Sequence, residues 1–93
     1  LAGTGKTHLL AEVAAVFGAA GRRVRGAALS AIVARGLGEA ADIQSQTIAS
    51  LLRDLDRREP FEPLQKGDVL IVDEAGMVGS SQMARILEHA EKA

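Results

Sequence analysis

Ninety-three residues, 47% of them apolar, suffice for one small domain and no more. With no cysteine, disulfides and thiolate-bound zinc are excluded, and two histidines far apart in sequence make no metal cluster. A formal charge of −1 gives no global pull towards nucleic acid or membrane, although a local basic patch can hide in a neutral total.

The apolar runs are too short to span a bilayer, so no membrane segment and a cytoplasmic, soluble protein are expected. Trp and Tyr are absent and Phe occurs only at Phe17 and Phe61. Aromatic platforms for stacking bases are therefore lacking, and any grip on nucleic acid must be polar and directed at the backbone.

In chain order, LAGTGKT comes first. Gly5, Lys6 and Thr7 fit the end of G-x-x-x-x-G-K-[ST], whose first glycine would stand one place before Leu1. The sequence thus reads as beginning inside a motif. A helix is predicted from near Thr7, with Leu9, Leu10, Val13, Phe17 and Ala20 at helical spacing and Gly21 as its stop. Arg22 and Arg23 follow, near the negative end of the helix dipole. Val24 to Ala28 reads as a short strand, and Ser30 as the cap of a helix over AIVARGLGEAA, weakened by Gly36 and Gly38. DIQSQ reads as a polar link.

Ser45 or Thr47 is the expected cap of the next helix, whose apolar stripe is Ile48, Leu51, Leu52 and Leu55. Pro60 and Pro63 mark a loop. Val69 to Val72 is apolar without alternation, which predicts a central strand covered on both faces. A last helix starts near Ser80 or Ser81, with Met83, Ile86, Leu87 and Ala90 on one face. This order is α/β, most simply part of a parallel sheet, with a strand expected before Leu1 and another after Ala93. The fold is expected to be truncated at both ends.

Two segments carry chemistry. Glycines let successive backbone N–H groups converge on a phosphate, and a helix start adds its positive end. In such a loop Gly3 and Gly5 supply the turn, Lys6 reaches the β- and γ-phosphates, and the Thr7 hydroxyl ligates Mg²⁺. A G-K-T triplet alone also fits a glycine-rich turn before a capped helix. The second segment is VLIVDEAG. Asp73 at a strand end lies at the carboxyl edge of the sheet, where open α/β sheets bind ligands, and can hold Mg²⁺ through water. Glu74 can polarise an attacking water as a general base. Taken alone, the doublet also fits a plain strand stop. Lys6 and Asp73 stand 67 positions apart, with room for another β unit between them. Together they point to a nucleotide triphosphatase core. Asp73-x-x-Gly76 also fits a GTPase pattern, whereas the Asp73-Glu74 doublet leans towards motor ATPases.

The basic residues read first as solvated surface, although in a DNA motor either cluster could touch backbone phosphates. Arg22, Arg23 and Arg25 form one cluster and Arg57 and Arg58 another, both expected as solvated basic turns. Arg53, Asp54, Asp56, Arg57, Arg58 and Glu59 mix signs as ordinary surfaces do, so no DNA site is placed on them. His8 reads as an ordinary helix residue.

AGTGKT, GAALSAIVARGL, SQTIASLL and VLIVDEAGMVGSSQMARIL together resemble the RecD-like superfamily 1 helicase domain, over nearly the whole chain. The likeness is greatest to the motor region of TraA-type conjugative relaxase–helicases. It implies a partial N-terminal RecA-like P-loop NTPase domain over 1–93, a three-layer sandwich around a parallel sheet. It implies ATP held by Gly3, Thr4, Gly5, Lys6 and Thr7, with Lys6 and Glu74 catalytic and Thr7 and Asp73 on Mg²⁺. It further implies translocation on single-stranded DNA and unwinding of partly duplex DNA, with a second motor lobe of the same protein. Ala27 to Ser30 sits where that family has a segment near the DNA strand. Thr47 and Gln82 match residues that link nucleotide state to the DNA path.

This sequence departs from the full pattern. It has no tyrosine and no histidine cluster, so DNA nicking does not reside here. The adenine-reading glutamine, the γ-phosphate sensor and the lobe with the arginine finger are missing. These 93 residues alone are therefore expected to bind nucleotide weakly or to be inactive. The rival reading is a non-catalytic nucleotide switch or packing module.

Overall fold

The computed structural model describes residues 2–57 and 64–92, with the backbone alone for residues 2–7 and Ala75. The loop expected at Pro60 and Pro63, together with Arg58 and Glu59, lies outside the described residues. The elements are α1 (Ala2–Ala19), β1 (Val24–Ala28), α2 (Ala31–Ala41), β2 (Gln44–Thr47), α3 (Ile48–Arg57), β3 (Val69–Val72) and α4 (Ser80–Lys92). A short 3₁₀ turn, Ala75–Met77, separates β3 from α4.

α1 stops where the sequence says it should. Gly21 takes φ 85°, its N–H donates to the Gly18 carbonyl at 3.0 Å, and the Arg22 N–H donates to the Phe17 carbonyl at 3.1 Å. A left-handed glycine with these two bonds satisfies the last carbonyls of the helix. The start of α1 differs from expectation. A glycine turn was expected before Thr7, but the helix takes in Gly3 to Thr7. Helical bonding gives each backbone N–H from the second turn onward a carbonyl four residues back, for about 1 kcal/mol per glycine relative to alanine. A phosphate loop instead leaves those groups converging on an anion.

The sheet is parallel throughout, in the order β2-β1-β3. Among the three described strands the middle one is β1, whereas the apolar run pointed to β3 as central. Two pairing neighbours and two helical layers crowd β1, and Val-Arg-Gly-Ala-Ala answers with small residues. Ala27 and Ala28 are fully buried. At Gly26 even a methyl would not fit, because a Cβ would lie 2.8 Å from Leu37 Cδ2, 3.0 Å from Ser45 Oγ and 3.1 Å from Ile43 Cδ1. β3 is apolar on both faces because both faces are covered. Val69 and Ile71 point to one helical layer, Leu70 and Val72 to the other.

β2 is the element the sequence hides. Gln-Ser-Gln-Thr has no apolar pattern and reads as a link, yet it pairs with β1 from Arg25↔Gln44 to Ala28↔Thr47. Backbone pairing holds it, together with Gln46, which accepts from Arg25 across the sheet.

Helices cover both faces. On one side, Ala14 of α1 and Leu37 of α2 meet Ile71, with Leu10, Val13, Val24 and Val69 around them. On the other, Ile48, Leu51, Leu52 and Leu55 of α3 pack with Ile86 of α4, Ala27 and Leu64. The predicted α3 stripe is buried in full. Each such side chain contributes roughly 1.5–3 kcal/mol on leaving water. The result is a three-layer α/β arrangement of the P-loop NTPase kind.

Candidate functional site

All three strands point the same way, so their carboxyl ends share one edge. Ser30, Thr47 and Asp73 stand there, just past or at the ends of β1, β2 and β3. Ser30 Oγ accepts from the Val33 N–H at 3.2 Å and caps α2, while Thr47 Oγ1 accepts from the Ser50 N–H at 3.1 Å and caps α3. Of the two caps proposed for α3, Thr47 is the one used, and Ser45 lies within β2.

Asp73 continues the ladder past β3. Its N–H donates to the Ala27 carbonyl at 2.9 Å, and the residue is only 5% exposed. Glu74 then enters the left-handed region at φ 57° and is half-buried. For a non-glycine residue this conformation costs roughly 1–2 kcal/mol. Its carbonyl accepts from the Met77 N–H at 2.9 Å, closing the turn that leads out of the sheet. Backbone strain next to a buried carboxylate at a strand end is the kind of feature that collects at functional sites.

α1 enters β1 through a short turn and so runs back along the sheet. Gly3, Thr4, Gly5, Lys6 and Thr7 occupy its first turns, at the end of the helix facing the edge that carries Asp73. The topology thus brings the two candidate segments to one edge. The side chains of residues 2–7 lie outside the described part. Among the described residues no cluster of three or more His, Cys, Asp or Glu is placed to hold a metal. No described helix is long and apolar enough to cross a membrane.

The opposite edge carries the first basic cluster, in which Arg22 and Arg23 are exposed as expected and Arg25 is buried. Arg22 Nη1 donates to the Gly67 carbonyl at 3.1 Å, and Arg23 Nε donates to Asp68 Oδ2 at 3.1 Å. A second nitrogen of Arg23, Nη2, bonds the same oxygen. Asp68 Oδ2 also accepts from the Gln65 N–H at 2.8 Å. Burial pushes the Asp68 carboxyl up, but the Arg23 bonds, the Gln65 N–H and the nearby guanidinium charges outweigh it and hold its pKa below the ordinary value. Arg25 is 9% exposed inside the central strand. Burial, then the charge of Arg23, lowers its pKa against the pull of Asp68 and Asp54.

Sequence reading missed the polar network that holds Arg25. Arg25 Nη2 donates to Gln46 Oε1 at 2.8 Å. Gln46 Nε2 in turn donates to Ser50 Oγ at 2.9 Å and Asp54 Oδ2 at 3.0 Å. The only hint in the sequence is an arginine within a strand segment, which must find polar partners if buried.

The family model for an AAA domain matches residues 1–93. The chain is 41% identical over 92 residues to a probable conjugal transfer protein TraA of Sinorhizobium fredii. It is 39% identical over 92 residues to the conjugal transfer protein TraA of Rhizobium radiobacter, and 36% to that of Agrobacterium fabrum. Each match covers 99% of this chain and 8% of the relative's own length. No solved structure matches the chain.

Proposed function

The chain belongs to the AAA domain family, and from that premise we propose that it forms part of the ATP-binding core of a DNA motor, in a protein of the conjugative relaxase–helicase type. One observation supports this reading above the others. Buried Asp73 and strained Glu74 stand at the carboxyl edge towards which α1 directs its first turn. The TraA relatives add a biological setting, conjugal transfer, in proteins of which the matched region is a small part.

In this reading Gly3, Thr4 and Gly5 present backbone N–H groups to the phosphates of ATP. Lys6 balances charge on the β- and γ-phosphates. A threonine hydroxyl and a carboxylate are the hard oxygen donors that Mg²⁺ prefers, so Thr7 and Asp73 fit that ion. Bound Mg²⁺ would neutralise charge developing on the phosphates. Glu74 takes the proton of the attacking water. To form the phosphate cradle the first turns of α1 must give up helical bonding, and Gly3 and Gly5 make that inexpensive. Movement on single-stranded or partly duplex DNA belongs to the longer protein with its second motor lobe, in the cytoplasm.

Titration of the purified chain with a fluorescent ATP analogue and Mg²⁺, beside a Lys6→Ala variant, tests the proposal. Saturable binding, lost in the variant and competed by ATP better than by GTP, is expected. Preference for GTP would replace the motor reading with a GTPase. Absence of binding in well-folded protein would remove nucleotide binding from this chain.

A further inference from the structure

The run from Arg53 to Arg57 mixes signs in sequence, but folding separates them. Arg53, Asp56 and Arg57 lie three and four residues apart, on one face of α3. Asp54 turns to the sheet instead, where it accepts from Gln46 Nε2. Facing this side of α3, α4 presents Gln82 and Arg85, again three residues apart. Between the two helices lies a groove of about 500 Å³.

The groove is cationic. Among the described residues three guanidinium groups line it against the one carboxylate of Asp56. That carboxylate is engaged from α4, by Arg85 Nη2 and, at 3.0 Å, by His89 Nε2. Arg53 and Arg57 make no ion pair among the described residues, and both are exposed. Four residues of helix set them about 6 Å apart along the axis, close to the step between successive phosphates of an extended strand.

We propose that the α3–α4 groove binds the phosphate backbone of single-stranded DNA through Arg53 and Arg57, with Arg85 and Gln82 forming the opposite wall. The proposal rests on the reading of the chain as part of a DNA motor. Among the described residues no aromatic side chain lines the groove, so the contact they offer is to the backbone and independent of sequence. An acidic protein partner fits less well. Tight protein interfaces need large apolar or aromatic anchors, and among the described residues Leu52 and Ala49 are the apolar ones on offer.

Binding of labelled oligo(dT) by the chain at several salt concentrations, with and without the ATP analogue, tests the proposal. Wild type is expected to show a log–log salt slope of about −0.7 for each phosphate engaged. An Arg53→Gln/Arg57→Gln variant should lose about two phosphates, flattening the slope by about 1.4 and weakening binding roughly tenfold at low salt. Its ATP-analogue binding should be unchanged, and Arg53→Lys/Arg57→Lys should retain most of the affinity. Undiminished oligo(dT) binding by the glutamine variant would overturn the proposal, as would no binding by wild type. Competition by polyglutamate as strong as by unlabelled oligo(dT) would also overturn it, in favour of an acidic protein partner. Loss of ATP-analogue binding alone, with the oligonucleotide results as expected, would count against the nucleotide site and leave the groove standing.

Discussion

The backbone N–H of Asp73 donates to the carbonyl of Ala27 at 2.9 Å, tying the acidic doublet to the central strand one residue past the end of β3. Register places Ala27 opposite Val72, so this bond extends the ladder by one step before the chain turns away at Glu74. Asp73 is thereby held by the sheet, whereas Glu74 is held by a turn. Asp73 is buried and Glu74 half-buried, which in the proposed reading suits an ion ligand beside a base that meets water.

Glu74→Gln should separate binding from chemistry. The amide keeps the size of the side chain but cannot accept the proton of water. In the full-length protein, ATP affinity should stay within about twofold, while DNA-stimulated phosphate release falls by about 10²–10⁴-fold. Equal release rates in the two proteins would remove Glu74 from the role of base.

Gly26→Ala should destabilise the fold without touching the nucleotide edge. The new methyl meets Leu37, Ser45 and Ile43 together at 2.8–3.1 Å, and the last two belong to the approach and body of β2. Overpacking of this kind costs about 1–3 kcal/mol. Thermal melting followed by circular dichroism would read the loss. An unchanged midpoint would mean that β2 sits less tightly on β1 than the geometry requires.

Gln46→Leu should cost about 1–3 kcal/mol, since it takes an acceptor from the buried Arg25 guanidinium and a donor from Ser50 and Asp54. Removing the arginine as well should restore part of that loss, because a buried charge that is gone needs no acceptor. Urea melts of Gln46→Leu, Arg25→Met and the double variant form the cycle. Strict additivity would show that the two residues do not act as a pair.

The contrast between β1 and β2 shows what a sequence makes legible. Helices α2, α3 and α4 and strands β1 and β3 follow from apolar spacing, caps and glycine stops, because those signals act locally. β2 does not, because Gln46 earns its place only when Arg25 arrives from another strand. The middle place of β1 among the three described strands was hidden in the same way. An unbroken apolar run reports coverage by helices, whereas the centre of the sheet is marked by Gly26, Ala27 and Ala28, small residues whose necessity appears only once the neighbours are in place. The place of Asp73 and Glu74 at the carboxyl edge was legible because the residue after a strand falls there in any parallel sheet. The α3–α4 groove was not, since its charge depends on Asp54 turning to Gln46 and on Asp56 being engaged by Arg85 and His89, contacts distant in sequence.

Asp68 should give the protein a specific acid sensitivity. Two nitrogens of Arg23 and the Gln65 N–H bond its carboxylate, and its pKa lies below the ordinary value. The unfolded chain binds the proton at about pH 3.9. The folded state therefore favours the charged form, and this contribution is complete above the unfolded pKa. It is lost as pH falls through the lower, folded pKa. Because Arg23 is partly exposed, the contribution is on the order of 1 kcal/mol. Asp68→Asn should thus be less stable than wild type by a constant amount between pH 5 and 8, with the gap narrowing below about pH 4. Denaturant melts of both proteins across that range measure it. A gap that stays constant down to pH 2 would assign the loss to packing of the 64–68 loop and not to the charge of Asp68.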